Sequence, residues 1–239
     1  MIKRIIQSGF RRIGYQPIDR EIAILERAKK KWLKSLKIDF IFDIGASDGG
    51  FARKIKDIYP NAEMHSFEAL PDSFEKLTFR CAHLTNFHPV HTALSDKEGE
   101  IEFYLCDNNT GSSSMLEMTD IHKEAYPHTA KNTALKVKAI RLDDYAKHIS
   151  LENKKVLMKL DVQGAEKIVL EGSQETLNHV DLIFCEINFS ETYKGCVMFS
   201  DLNKFLEARG FILIGMENVS QSKIDGTFLQ SDAYYIKTK

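Results

Sequence analysis

The sequence predicts an α/β fold: a mostly parallel, doubly wound sheet with helices on both faces, an antiparallel hairpin at its C-terminal edge, and helices ahead of it. Three observations predict it. From Phe40 onward, short apolar runs alternate with segments whose apolar residues recur at helical spacing, the pattern of parallel strands joined by crossover helices. The runs Phe211–Met216 and Ala233–Lys237 come last in succession, which implies an antiparallel pair. Finally, Phe40–Ile44, apolar and β-prone, leads through Gly45-Ala46-Ser47-Asp48-Gly49-Gly50 into Phe51–Tyr59, again at helical spacing. That strand, turn and helix form the unit in which an open α/β sheet holds a nucleotide-like ligand.

Length and composition bound the answer. The 239 residues, 43% hydrophobic and 28% charged, describe an ordinary globule able to bury a sizeable core. No run approaches the roughly 18 apolar residues of a membrane span. No apolar segment with a small-residue cleavage site opens the chain. Cys81, Cys106, Cys185 and Cys196 are scattered, without CxxC spacing, and read as reduced thiols. A cytoplasmic protein is the expectation. Charge is uneven: residues 1–37 hold eleven Lys and Arg against three acids, a balance of +8, while the whole chain carries −1. The remainder is therefore −9, and this acidic body argues against a large nucleic-acid footprint.

The composition shift suggests a basic helical extension over 1–37 and a main domain over 38–239. In residues 1–18, Ile2, Ile5, Ile6, Phe10 and Ile13 are interleaved with Lys3, Arg4, Arg11 and Arg12. A helix there packs on protein or, as a second reading, rests on an anionic membrane or a lipid-linked substrate. A second helix is expected from Asp19 to about Leu36, with Ile22, Leu25, Ala28, Trp32 and Leu36 as its stripe.

In the main domain, Glu63–Glu68 is the second strand, and Pro71 begins a helix that includes Phe74, Leu77 and Cys81. Asn86–Leu94 is a third strand, and Glu100–Cys106 returns from the Asp96–Gly99 turn as its hairpin partner. Asp107–Ser114 is a polar loop, and residues 117–133 read as a poorly structured or lid-like segment with His122 and His128 on the surface. Leu135–Ile140 is a strand, Leu142–Ile149 a short helix, and Lys155–Val162 a strand with Asp161 near its end. Gly164-Ala165 opens a helix, and Val180–Ile187 is a strand carrying Glu186 near its end. A helix over 200–209 stops at Gly210.

Several strand ends are polar or acidic: Asp43 to Asp48, Glu68, Leu94-Ser95-Asp96, and Asp161. In a doubly wound sheet these ends share one rim. Each alone is an ordinary solvated turn residue; together they outline a crevice. Glu68 stands 19 residues past Gly49, about where an acid accepts ribose hydroxyls. The turn lacks G-x-G-x-x-G, and Asp43 and Asp48 would repel a diphosphate. A cationic adenosyl ligand without phosphate, S-adenosylmethionine, suits it better than a dinucleotide.

Asp-Ile-Gly-Ala-Ser-Asp-Gly (43–49), His-Ser-Phe-Glu-Ala-Leu-Pro (65–71), Ala-Leu-Ser-Asp (93–96) and Lys-Leu-Asp-Val-Gln-Gly-Ala-Glu (159–166) together resemble the FkbM family of S-adenosylmethionine-dependent methyltransferases. The resemblance runs from about residue 38 to about 188. It implies a Rossmann-like seven-stranded methyltransferase fold and, most often, O-methylation of a hydroxyl on a sugar, polysaccharide or natural product. It further implies that Gly45, Ala46 and Gly49 line the methionine and ribose portion, with Asp48 in the same turn. Asp43 would orient the turn or hold the ammonium, Glu68 would bind the ribose, and Ala93 and Leu94, with Ser95 or Asp96, would border the adenine. Asp161 and Glu166 would lie near the acceptor, with Asp161 also touching the cofactor. The family commonly shows Asp-Val-Glu-Gly-Ala-Glu where Gln163 stands here; glutamine keeps hydrogen bonding but loses charge and basicity.

An alcohol acceptor must lose a proton, so a carboxylate on the rim is needed as base: Asp161 first, Glu186 second. Oxygen ligands at Asp161 and Glu186 also suit a divalent metal, a reading not favoured because Gln163 weakens the site. The polar loop after the third strand is a candidate contact for a small-molecule or glycan acceptor. Two other readings are a nucleic-acid or protein methyltransferase and a catalytically silent S-adenosylmethionine-binding module. The first lacks the Asn/Asp-Pro-Pro-Tyr/Phe of amine methylases, since Asp161-Val162-Gln163-Gly164 stands there.

Overall fold

The chain divides into two compact units, residues 1–37 and 38–239. The computed structural model describes residues 20–238, so the expected helix over 1–18 lies outside the described residues. In the first unit, α1 spans Arg20–Ser35. Of its expected stripe, Ile22 and Leu25 are exposed and Trp32 is half-buried.

The second unit runs β1 (Phe40–Ile44), α2 (Gly50–Lys56), β2 (Glu63–Glu68), α3 (Pro71–Cys81), β3 (Phe87–His91), β4 (Ala93–Leu94) and β5 (Gly99–Cys106). It continues with α4 (Asp120–Ala125), β6 (Asn132–Ile140), α5 (Leu142–Ala146), β7 (Val156–Leu160) and α6 (Glu166–Glu171). Then come β8 (Val180–Asn188), α7 (Phe199–Glu207), β9 (Phe211–Gln221) and β10 (Phe228–Lys237). Seven strands form one sheet in the order β3-β2-β1-β7-β8-β10-β9. All pairs are parallel except those of β10, which lies antiparallel between β8 and β9. This is the doubly wound sheet with a reversed final hairpin that the alternation predicts.

Burial follows position in the sheet. β1 and β7, at its centre, are buried at every residue, because helices cover both faces and no alternation is needed. That burial includes Asp43 and Lys159, two charges inside the sheet. Strand order reverses between β1 and β7, so the connections after them lead to opposite sides and open a crevice at the strands' carboxyl ends. β9, an edge strand, extends to Gln221, five residues past the predicted end. Its added residues are polar apart from the exposed Val219, so no apolar pattern announces them.

Two expectations need correction. The run Asn86–Leu94 is not one strand with β5 as its hairpin partner. It breaks at Thr92, whose amide turns back to the Val90 carbonyl at 3.1 Å. β3 stays in the main sheet, while β4 and β5 join β6 in a separate sheet ordered β4-β6-β5. Segment 117–133 is also ordered: α4 sets the His122 ring against Tyr193, and a 3₁₀ turn follows at Pro127–Thr129. His122 is consequently buried, at 2% exposure, with Nε2 3.1 Å from Thr129 Oγ1, and burial lowers its pKa to about 4. His128 is exposed. The four cysteines are free thiols, all buried.

Candidate functional site

The site starts with a lysine that the apolar run around it conceals. Lys159 lies in the β7 sequence Val-Leu-Met-Lys-Leu and is 3% exposed. A buried ammonium must be paired and hydrogen-bonded. Lys159 Nζ donates to Gly45 O at 2.5 Å and Ile44 O at 3.2 Å. It lies 3.4 Å from Asp43 Oδ1 and 3.6 Å from Asp161 Oδ2. Burial works against its charge, but Asp161, Asp43 and Glu68 outweigh that and hold its pKa above the usual lysine value. Asp43 also accepts from Ser66 Oγ at 3.0 Å. Asp43 and Lys159 therefore fix the end of β1 from beneath.

The turn after β1 is bound on three sides. Gly45 N and Ala46 N both donate to Phe67 O, at 3.1 and 2.9 Å. Gly45 has φ +75°, and a Cβ there would stand 1.9 Å from the Asp161 carbonyl oxygen, so only glycine fits. Ser47 N donates to Glu68 Oε2 at 2.8 Å, while Leu70 N donates to Glu68 Oε1 at 2.9 Å. Each carboxylate oxygen keeps a second lone pair for a ligand hydroxyl. Burial raises the Glu68 pKa against the pull of those two amides.

A cavity of about 210 Å³ opens between this turn and the end of β7. Of the sequence-predicted residues, Gly45, Glu68, Ala93, Leu94 and Asp161 line it. Asp43 and Ala46 support it from below. Asp48, Gly49, Asp96 and Glu186, like Asp43 and Ala46, do not line it. Asp48 turns to an ion pair with Arg80 and accepts from Gly50 N at 3.1 Å. Gly49 (φ +82°) lacks a Cβ because Cys81 Sγ would lie 2.4 Å away, so it serves the packing of α2 on α3. Asp96 is exposed, and Ser95 Oγ donates to it at 2.9 Å.

The second small sheet and the loop after it supply the far wall. Phe103 of β5 and Thr110, Gly111, Ser113 and Met115 line the cavity. Ser114 pins the loop to the β7 turn, donating to Gln163 O at 2.8 Å. Sequence reasoning singled out the polar loop but not Phe103, Met115 or Lys159. For Lys159 the signal was present: one charge inside a fully apolar strand.

At the mouth, Gln163 joins the two candidate bases. Its φ is +55°, which turns its side chain back across the strand ends. Nε2 donates to Asp161 Oδ1 at 2.9 Å and to Glu186 Oε2 at 3.3 Å, while Oε1 accepts from Tyr193 OH at 2.9 Å. Asp161 is half exposed; Glu186 is buried, also accepts from Gln230 Nε2 at 2.7 Å, and does not line the cavity. Burial, with Asp161, Glu166 and Asp232 nearby, drives the Glu186 pKa well up. A divalent ion does not fit between Asp161 and Glu186, because the Gln163 amide N–H group already stands between them. Glu166 builds the same turn from below, accepting from Val162 N at 3.2 Å and Gly164 N at 3.3 Å.

The arrangement therefore offers a cavity-wall carboxylate with free lone pairs, an excess of acids around one lysine, and a second carboxylate at the mouth. The chain is 29% identical over 160 residues to the 2-O-methyltransferase NoeI of Sinorhizobium fredii (strain NBRC 101917 / NGR234), covering 65% of each chain. It is 28% identical over 193 residues to the methyltransferase sdnD of Sordaria araneosa, covering 72% of this chain and 73% of that one. Among solved structures it is similar to a precorrin-6y C5,15-methyltransferase from Geobacter metallireducens GS-15, with a TM-score of 0.47 and 11% identity over 93% and 90% of the two chains. Residues 43–213 match the methyltransferase FkbM domain, the family to which the four motifs point. That span is well over half of the chain, which therefore belongs to the family of methyltransferase FkbM domains.

Proposed function

We propose that this protein transfers a methyl group from S-adenosylmethionine to a hydroxyl of a small molecule or glycan. The observation that carries the reading is the Glu68 carboxylate on the cavity wall, held by the Ser47 and Leu70 amides with lone pairs to spare. Glu68 accepts the ribose hydroxyls, the Gly45–Ser47 turn lies against the ribose and methionine portion, and Ala93 and Leu94 border the base. The acids that outnumber Lys159 suit a ligand carrying a sulfonium and an ammonium. When bound, that ligand supplies a methyl group on an already activated leaving group.

The chain's own task is then positioning and deprotonation. Asp161, at the mouth and half exposed, is the base. Lys159 and the Gln163 amide hold its carboxylate on opposite sides, at 3.6 and 2.9 Å. Glu186 acts behind it, through Gln163. The name of the relative NoeI supports oxygen as the methylated atom, and the polar wall of Thr110, Gly111 and Ser113 supports a hydroxylated acceptor.

Calorimetry checks the cofactor half of the reading. S-adenosylmethionine is expected to bind with micromolar affinity, about −8 kcal/mol. Glu68→Ala is expected to weaken it by about 1–3 kcal/mol. No binding to the native chain overturns the proposal. Screening glycans with a labelled methyl donor then separates an enzyme from a silent binder: Asp161→Asn should lose turnover while still binding S-adenosylmethionine measurably.

A further inference from the structure

At the other end of β2, away from the cavity, three metal-ligand side chains converge. Glu63 opens the strand and His65 follows two residues on, on the same face. His88 of β3 stands directly opposite His65 in the parallel ladder. One ligand atom from each lies within 4.8 Å of the others. The rings of His65 and His88 are 4.6 Å apart, and His65 Nε2 is 3.2 Å from Glu63 Oε1. We propose that Glu63, His65 and His88 bind a divalent transition ion of the zinc class, clipping the edge strand β3 to β2.

Donor chemistry selects the ion. Two imidazoles and one carboxylate suit zinc and its neighbours, not magnesium or calcium, which prefer all-oxygen shells. The 3.2 Å between Nε2 and Oε1 is close to the edge of a tetrahedron with metal bonds about 2.0–2.1 Å long. His88 is exposed, so its ring closes the remaining gap by rotation. Behind the site, Tyr145 OH lies 2.7 Å from His65 Nδ1. When Nδ1 donates to that oxygen, the Nε2 lone pair faces Glu63, the arrangement by which an outer partner orients a metal-binding histidine. Burial disfavours the His65 cation and lowers its pKa, the direction that favours ligation. Lys154 Nζ lies 3.0 Å from the other Glu63 oxygen, Oε2, and leaves Oε1 for the ion. Three protein ligands leave the fourth position to water.

Among the described residues no other group of three His, Cys, Asp or Glu side chains converges in this way. The four cysteines are buried, and residues 1–19 contain neither histidine nor cysteine. The test uses the full, untagged chain stripped of metal and titrated with zinc chloride by calorimetry and thermal melting. One ion per chain, micromolar or tighter affinity, and a midpoint raised by several degrees are expected, with no response to magnesium. His88→Ala, at an exposed position, should melt like the native chain without metal and bind zinc at least tenfold more weakly. Glu63→Gln should weaken binding in the same direction. Absence of zinc binding by the native chain overturns the proposal. So does affinity unchanged in both variants.

Discussion

Lys159 determines how much of the site survives substitution. It is the cation between Asp43 and Asp161 and the donor that holds the carbonyls of Ile44 and Gly45. Lys159→Met fits the apolar strand by volume but leaves Asp43 buried at 0% exposure without its counter-ion. Breaking a buried pair on one side costs about 3–5 kcal/mol. Chemical denaturation should show a loss of that order, together with weaker S-adenosylmethionine binding as the Gly45 turn relaxes. A variant as stable as the native chain would refute this role. Glu68 and Asp161 were legible in the sequence because a carboxylate at a strand end has one rim to occupy. Lys159 was not, because periodicity registers an isolated charge as noise until neighbouring strands are known. Asp48 and Asp96 were misleading for a related reason: position in a turn does not say which way a side chain leaves it.

The turn between β7 and α6 carries a pH-sensitive group. Glu166 sits at its base, fully buried, accepting the amides of Val162 and Gly164. Burial pushes its pKa from 4.5 to about 7, with Asp161 adding to the rise and the amides opposing it. In that interval the folded chain keeps a proton that the unfolded chain releases. The group's contribution to stability therefore falls as pH rises through the interval and is constant above it. Denaturation of Glu166→Gln beside the native chain should show the variant gaining about 1–3 kcal/mol in relative stability from about pH 5 to about pH 8. A difference independent of pH would remove the buried proton from the account. Elements themselves were read well where a short, nearly continuous apolar run marked a buried strand, as in β1, β7 and β8. The sequence misread the break at Thr92, because its residues keep alternating while the chain changes sheets.

At the scale of the molecule, the alternation of strands and helices was enough to read the seven-stranded sheet and its final reversal. It carried no information on the second sheet, whose strands β4, β5 and β6 pair through contacts that no local pattern announces. Strand order also fixes when the site comes into being. β1 lies beside β7, and Lys159 reaches back 115 residues to the Ile44 carbonyl. Such long-range pairing forms slowly, after loop closure, whereas β1 and β2 are near neighbours. Pulse-labelled refolding should therefore protect the Asp161 amide, which donates to Ile44 O at 3.1 Å, no earlier than the interior of β7. Protection of that amide ahead of β7 would contradict the sequence of events. For a chain emerging from the ribosome, the Gly45 turn and Glu68 are made early and wait for the rest of the cavity. Ligand recognition must await translation of the Lys159 codon and the release of that residue from the exit tunnel.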